Sequence, residues 1–318
     1  MPSIRHNWHR PSPRQFTALL PWFLACLLSG PAQAMQMPPW QQLVFEQKSF
    51  WATARGVLTL SEFTDARGAR EIDSAHNSAQ TTDTGASSGY LSLEVNNYVA
   101  SSSEQITLTL DAATGATQFR WRLSRGRESR VKIHEYYDTV IERERREPPA
   151  GNGNISPADW PATHEMNMPL PPEAEGRRIV ATHALIVLLP TLLEDPSRAD
   201  DYLVHTDLNF FLLDADLSDK TMTIDNTITV DGERRKKDRR CQVLTLRMTP
   251  IPGNPEEPDV MLMGMSGKIH IFIDMASGLP LRLRGDAPRI GSAELNLIEA
   301  STRTSRKPAQ RMRPPPAP

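Results

Sequence analysis

Apolar and polar residues alternate along much of the chain. Ile106, Leu108 and Leu110 alternate with Thr107 and Thr109, and Phe119, Trp121 and Leu123 with Arg120 and Arg122. The same habit marks Leu91, Leu93 and Val95, then Ile269, Ile271 and Ile273, then Leu281 and Leu283, and last Leu295 and Leu297. Successive strand side chains point to opposite faces, so each segment reads as a strand with one buried and one wetter face. Such one-sided sheets are usually antiparallel. The pattern predicts a mainly β protein.

One stretch departs from the alternation. ATHALIVLLPTLLED, residues 181–195, is apolar at successive positions and reads as a short buried helix capped by Thr182. Pro190 is expected to kink or end it, because proline disfavours helix at the residue before it. A strand through Ile186–Leu189 is the competing reading.

Two blocks echo each other. Ile106–Gly115 reads ITLTLDAATG and Ile269–Gly278 reads IHIFIDMASG, so Ile, Asp, Ala and Gly recur at matching places. Aspartate accepts hydrogen bonds from the backbone two residues on, and glycine supplies the positive φ of a tight reversal. Both blocks are therefore predicted hairpins. Either the chain has two related halves or one turn was used twice.

Composition divides the rest. Residues 71–89 hold a single large aliphatic, Ile72, and no aromatic side chain before Tyr90, too little to build a core. Residues 148–172 contain seven prolines, which makes 148–176 a natural linker between an N-terminal β half, 35–147, and a helix plus C-terminal β half, 177–300. Residues 301–318 read as a disordered, basic, proline-rich tail.

The first 34 residues read as a cleavable export signal. Arg5, Arg10 and Arg14 precede an apolar run from Ala18 to Leu28, and Ala32-Gln33-Ala34 supplies a small-x-small site. Cleavage after Ala34 would leave 284 of the 318 residues and move the formal net charge from −2 to −5. A lipoprotein signal at Cys26 fits less well, since Phe23 and Leu24 are large. Mild acidity argues against a nucleic-acid partner. Past the leader, only Cys241 remains, so no internal disulfide can form. No later stretch is apolar enough to span a bilayer as a helix.

Motifs for chemistry are sparse. His76, His134, His164, His183, His205 and His270 show no metal-ligand spacing, so neither a metal nor another cofactor is expected, and no catalytic residue is assigned. His205 and Asp207 stand two apart and could share a strand face, though no nucleophile is pointed to. Gly264-Met265-Ser266-Gly267-Lys268 fails both as a nucleophile elbow and as a phosphate loop. ERRKKDRR, residues 233–240, reads as a basic hairpin tip that anionic head groups or an acidic partner could meet.

The segments FWATARGVLTL (Phe50–Leu60) and IDMASGLPLRLRG (Ile273–Gly285), the central helix and the following AELNL resemble a family of uncharacterised exported β-rich proteins of Gram-negative bacteria. The closing hairpin is also distantly similar to those of periplasmic lipoprotein carriers, whose half-open β-barrels surround a helix. The resemblance implies curved antiparallel sheets, half-barrel-like, around one short buried helix. It also implies a non-enzymatic periplasmic binding or scaffolding protein whose partner is a lipid, an acylated molecule or another envelope protein. An envelope hydrolase and a protein-assembly factor are the alternatives. On the lipid reading, Ile106, Leu108, Leu110, Ile269, Ile271 and Ile273 line a common apolar concavity that the helix partly fills.

Overall fold

The structure is a computed structural model that describes residues 34–48, 53–63, 89–99, 102–150, 155–254, 260–287 and 291–303. The expected leader, residues 71–88 and the tail beyond 303 lie outside these residues. Met35 onward forms one compact unit.

The fold is mainly β: the described residues form one large curved mixed sheet of sixteen strands and one α-helix. Eight strands run as an antiparallel meander. They are β1 (Trp40–Lys48), β2 (Thr53–Phe63), β3 (Tyr90–Val99), β4 (Ser102–Asp111), β5 (Thr117–Arg125), β6 (Arg130–Tyr136), β7 (Val140–Arg146) and β8 (Ala162–Pro169). The proline-rich stretch expected as a linker therefore contains a strand, β8, paired with β7.

After β9 (Arg178–Ala181), a 3-10 turn over Thr182–Ala184 leads into α1 (Leu185–Glu194). Then follow β10 (Tyr202–His205), β11 (Phe210–Leu217), β12 (Met222–Val230), β13 (Glu233–Pro250), β14 (Ser266–Asp274), β15 (Pro280–Ala287) and β16 (Gly291–Thr302). β16 lies beside β1, so the second series continues the first in a single sheet. Two contacts are parallel, β9 with β10 and β12 with β16.

Both echoed blocks are hairpins with one turn chemistry. Gly115 and Gly278 have φ of +77° and +69°. In each, the glycine N–H bonds back to the aspartate carbonyl at 2.8 Å. The Asp111 carboxylate accepts from Thr114 N at 2.7 Å, and that of Asp274 from Ser277 Oγ at 2.6 Å. The basic run is placed differently from expectation. Asp231 and Gly232, with φ of +51° and +83°, form the tip, and residues 233–240 are the first half of β13, exposed except at Arg239.

The helix forms where expected but by other means. No side chain caps it, and Pro190 sits inside it instead of ending it. Proline costs a helix one backbone hydrogen bond. Packing outweighs that loss, since Leu185–Leu189, Thr191 and Leu192 are all buried. Helices in proteins draw most of their stability from such tertiary contact.

α1 belongs to one apolar cluster with side chains from β1–β4 and β10–β16. A second cluster joins Tyr136, Ile141 and Met168 of β6–β8 to Leu203 and Phe210 of β10–β11. In the strand order these groups lie toward opposite ends of the sheet. The two ends are thus in contact.

Candidate functional site

The contact between the sheet ends is also the most polar part of the interior. β5, β6 and β7 are in register, so that Arg120 lies opposite His134, and His134 opposite Arg143. The adjacent row is Arg122, Lys132 and Arg145. Directly opposed residues share a face, so six basic side chains crowd one side of three strands. Such a face needs an anion before it can be buried.

Asp207 supplies it. The turn from β10 to β11 is closed by Thr206 N–H donating to Asn209 O at 3.0 Å, which presents Asp207 to the opposite end of the sheet. Its carboxylate takes a two-pronged contact from Arg143, Nε at 2.9 Å and Nη2 at 3.2 Å, and a further bond from Lys132 Nζ. His134 Nε2 stands 3.4 Å from Asp207 Oδ1. Arg120 donates to the carbonyls of His205 and Thr206. Burial pushes the Asp207 carboxyl up. Hydrogen bonds from His134 and Arg143 and the Lys132 charge outweigh this and hold it well below the usual carboxylate range.

The imidazoles here are kept neutral. Burial, reinforced by Arg120, pushes His134 down to about 3. Burial, then Arg120 and His134, push His205 well below its ordinary value. His205 is fully buried and pairs with Tyr136 Oη at 3.0 Å through Nδ1. The His205–Asp207 pairing considered from sequence is not formed as a dyad: Asp207 lies beyond the end of β10, and its imidazole partner is His134. Imidazoles held this far below neutral pH are poor general bases. The cluster's chemistry is that of a clasp.

A small cavity borders the clasp and adjoins a larger one. The smaller, about 110 Å³, is bordered by Glu104, Arg120, Arg122, Thr182, His183 and Asp207, among others. Glu104 is paired with Arg122 at 2.5 Å and accepts from Asn97 at 3.3 Å. Burial pushes His183 down to about 4 against the opposing pull of Glu104. Its Nε2 is buried without a hydrogen-bond partner. The larger cavity, about 320 Å³, opens at the ends of β2–β5 and shares Glu104 and Gly264 with the smaller. Arg55, Arg125 and Arg127 are exposed along it, with Val99, Met263 and Leu295 as apolar surface. Met263 and Gly264 have φ of +53° and +81° and are closed into a two-residue turn by paired bonds between Leu262 and Met265.

Ile106, Leu108, Leu110, Ile269, Ile271 and Ile273 are all buried, and all six belong to the cluster that contains α1. Of these, Ile106 also borders the smaller cavity. Among the described residues no three His, Cys, Asp or Glu side chains converge as a metal site. No helix there is long and apolar enough to cross a membrane.

The basic rows were invisible in the linear sequence. Arg120, His134 and Arg143 sit on three successive strands and meet only through strand register, while Asp207 comes from 64 residues beyond Arg143. No known protein family, curated protein or solved structure matches the chain.

Proposed function

We propose that this chain is an exported, non-enzymatic binding or scaffolding protein of the Gram-negative cell envelope. The observation that carries the reading is the division of labour around Asp207. Its titratable neighbours are engaged with one another in a buried clasp, while an open cleft of about 320 Å³ is reached from it through the smaller pocket, with which the cleft shares Glu104 and Gly264. That volume falls within the roughly 300–1,000 Å³ of small-molecule sites. The leader pattern of residues 1–34 and the resemblance to exported β-rich proteins support a periplasmic setting. A lipid or acylated partner is the ligand class implied by the likeness to lipoprotein carriers. A long acyl chain seated against Leu108 or Ile271 would have to displace part of α1, because those side chains are already packed with it.

Fractionation of the producing cell, followed by amino-terminal sequencing, tests the setting of this function. The reading expects a periplasmic chain that starts at Met35. A cytoplasmic chain with its leader intact, or a lipid-bearing start at Cys26, would remove it.

A further inference from the structure

Two features of the paired cavities remain after the clasp is accounted for. His183 presents a buried nitrogen, Nε2, with no protein partner at the smaller one. Buried polar groups are nearly always satisfied, so an orphan at a cavity wall marks a place where something polar binds. The surrounding charge indicates its sign. Arg120 and Arg122 border the small pocket, and Arg55, Arg125 and Arg127 line the larger cleft. The carboxylates at these walls are Glu104, Glu128 and Asp207. Two of the three are already neutralised, Glu104 by Arg122 and Asp207 by Lys132 and Arg143.

Shape and composition narrow the ligand. A pocket of about 110 Å³ has room for roughly four waters' worth of volume, enough for a carboxylate but not for a ring system. The cleft sharing its wall is three times larger and mixes Asn97, Ser102, Ser103 and Ser124 with Val99 and Met263. Among the described residues that line it, none is aromatic. Amide-matching hydroxyls, scattered apolar contacts and arginines suit a short extended chain.

We infer that the pocket and cleft together bind an acidic peptide segment, one carboxylate entering beside His183 and Arg120 and the others meeting Arg55, Arg125 and Arg127. The inference rests on the binding-protein reading and gives that site a ligand class. Met263 serves as the adaptable wall. A Cβ on Gly56 would lie 2.2 Å from its Cε, so the absence of a side chain at Gly56 makes the seat for the thioether. Methionine repacks readily around different neighbours.

Isothermal titration of the purified full chain with N-acetyl-tetraglutamate tests this, with N-acetyl-tetraglutamine and laurate as parallel probes. The expected result is saturable one-to-one binding of the glutamate peptide that weakens as salt rises. The glutamine peptide should bind at least tenfold more weakly. Arg125→Glu/Arg127→Glu, changed at exposed positions, should also lose at least tenfold, as should His183→Gln. Binding should raise the pH at which the His183 ring titrates by NMR, since an anion favours the imidazolium. Absence of saturable binding, equal binding of the glutamine peptide, binding of laurate alone, or affinity unchanged in both variants would overturn the inference. An unrelated ligand found on protein isolated from the periplasm would leave the binding-protein reading standing while removing the acidic peptide.

Discussion

Acidification should destabilise this protein strongly before most of its carboxylates are protonated. The perturbation acts through two imidazoles, His134, which is buried, and His183, which is partly buried. His134 is held at about 3 and His183 at about 4, chiefly by burial, while an unfolded chain titrates them near 6.5. Because the folded values are depressed, the unfolded state binds protons that the native state refuses as pH falls below 6.5. Stability is therefore lost over that window, by about 1.4 kcal/mol per pH unit for each such histidine. At pH 5 each of the two has cost about 2 kcal/mol, and the pair about 4 kcal/mol. His205, also depressed by burial, adds to the loss in the same direction. Typical domains are stable by only about 5–15 kcal/mol, so the effect is a large fraction of the whole. Asp207 works in a lower window: its carboxylate stabilises above the unfolded value of 3.8 and loses that contribution only as pH drops through it. Urea unfolding at pH 7.5, 6 and 5 measures the slope. His183→Gln should flatten it by about 1.4 kcal/mol per pH unit. A stability that stays level from pH 7 to 5 would refute the reasoning, as would a slope that the variant leaves untouched.

Three further outcomes follow from the packing. Asp207→Ala leaves Lys132 and Arg143 buried without their anion and should cost about 3–5 kcal/mol by denaturant midpoint; a loss below about 1 kcal/mol would make the clasp incidental. Gly278→Val should cost roughly 1–3 kcal/mol for its positive φ. Gly115→Val should cost more, since a Cβ there would meet Leu188 Cδ2 at 2.5 Å and Met35 Sδ at 2.9 Å, against 3.3 Å from Pro39 at Gly278. Leu108→Trp should overpack the cluster around α1 and destabilise by roughly 1–3 kcal/mol, read by the same titration; free tolerance would indicate space beside α1.

Strand alternation was a dependable guide where one face meets the apolar cluster. It located β3, β4, β5, β14, β15 and β16, and turn chemistry placed Asp111–Gly115 and Asp274–Gly278. It was poorer where both faces carry charge. β7 reads VIERERR, which is compatible with a surface strand or helix, and β8 lies within a proline-rich run. What makes them strands is pairing with their neighbours, a non-local property. The two echoed aspartates show the same limit. From the turn alone they are equivalent, but Asp274 is buried and also holds Arg239 at 3.0 Å, so its loss exposes an interior cation. The clasp was the least legible feature, because Asp207 meets Lys132 and Arg143 only when the two ends of the sheet come together.

The central claim is that the chain is a binding protein whose ligand occupies the cleft of Arg55, Arg125 and Arg127. Its most direct test is native mass spectrometry of protein isolated gently from the producing cell, wild type beside Arg125→Glu/Arg127→Glu. The account predicts a discrete added mass on the wild type that disappears under denaturing conditions and is absent from the variant. A bare chain in both samples, or the same added mass on both, would contradict it.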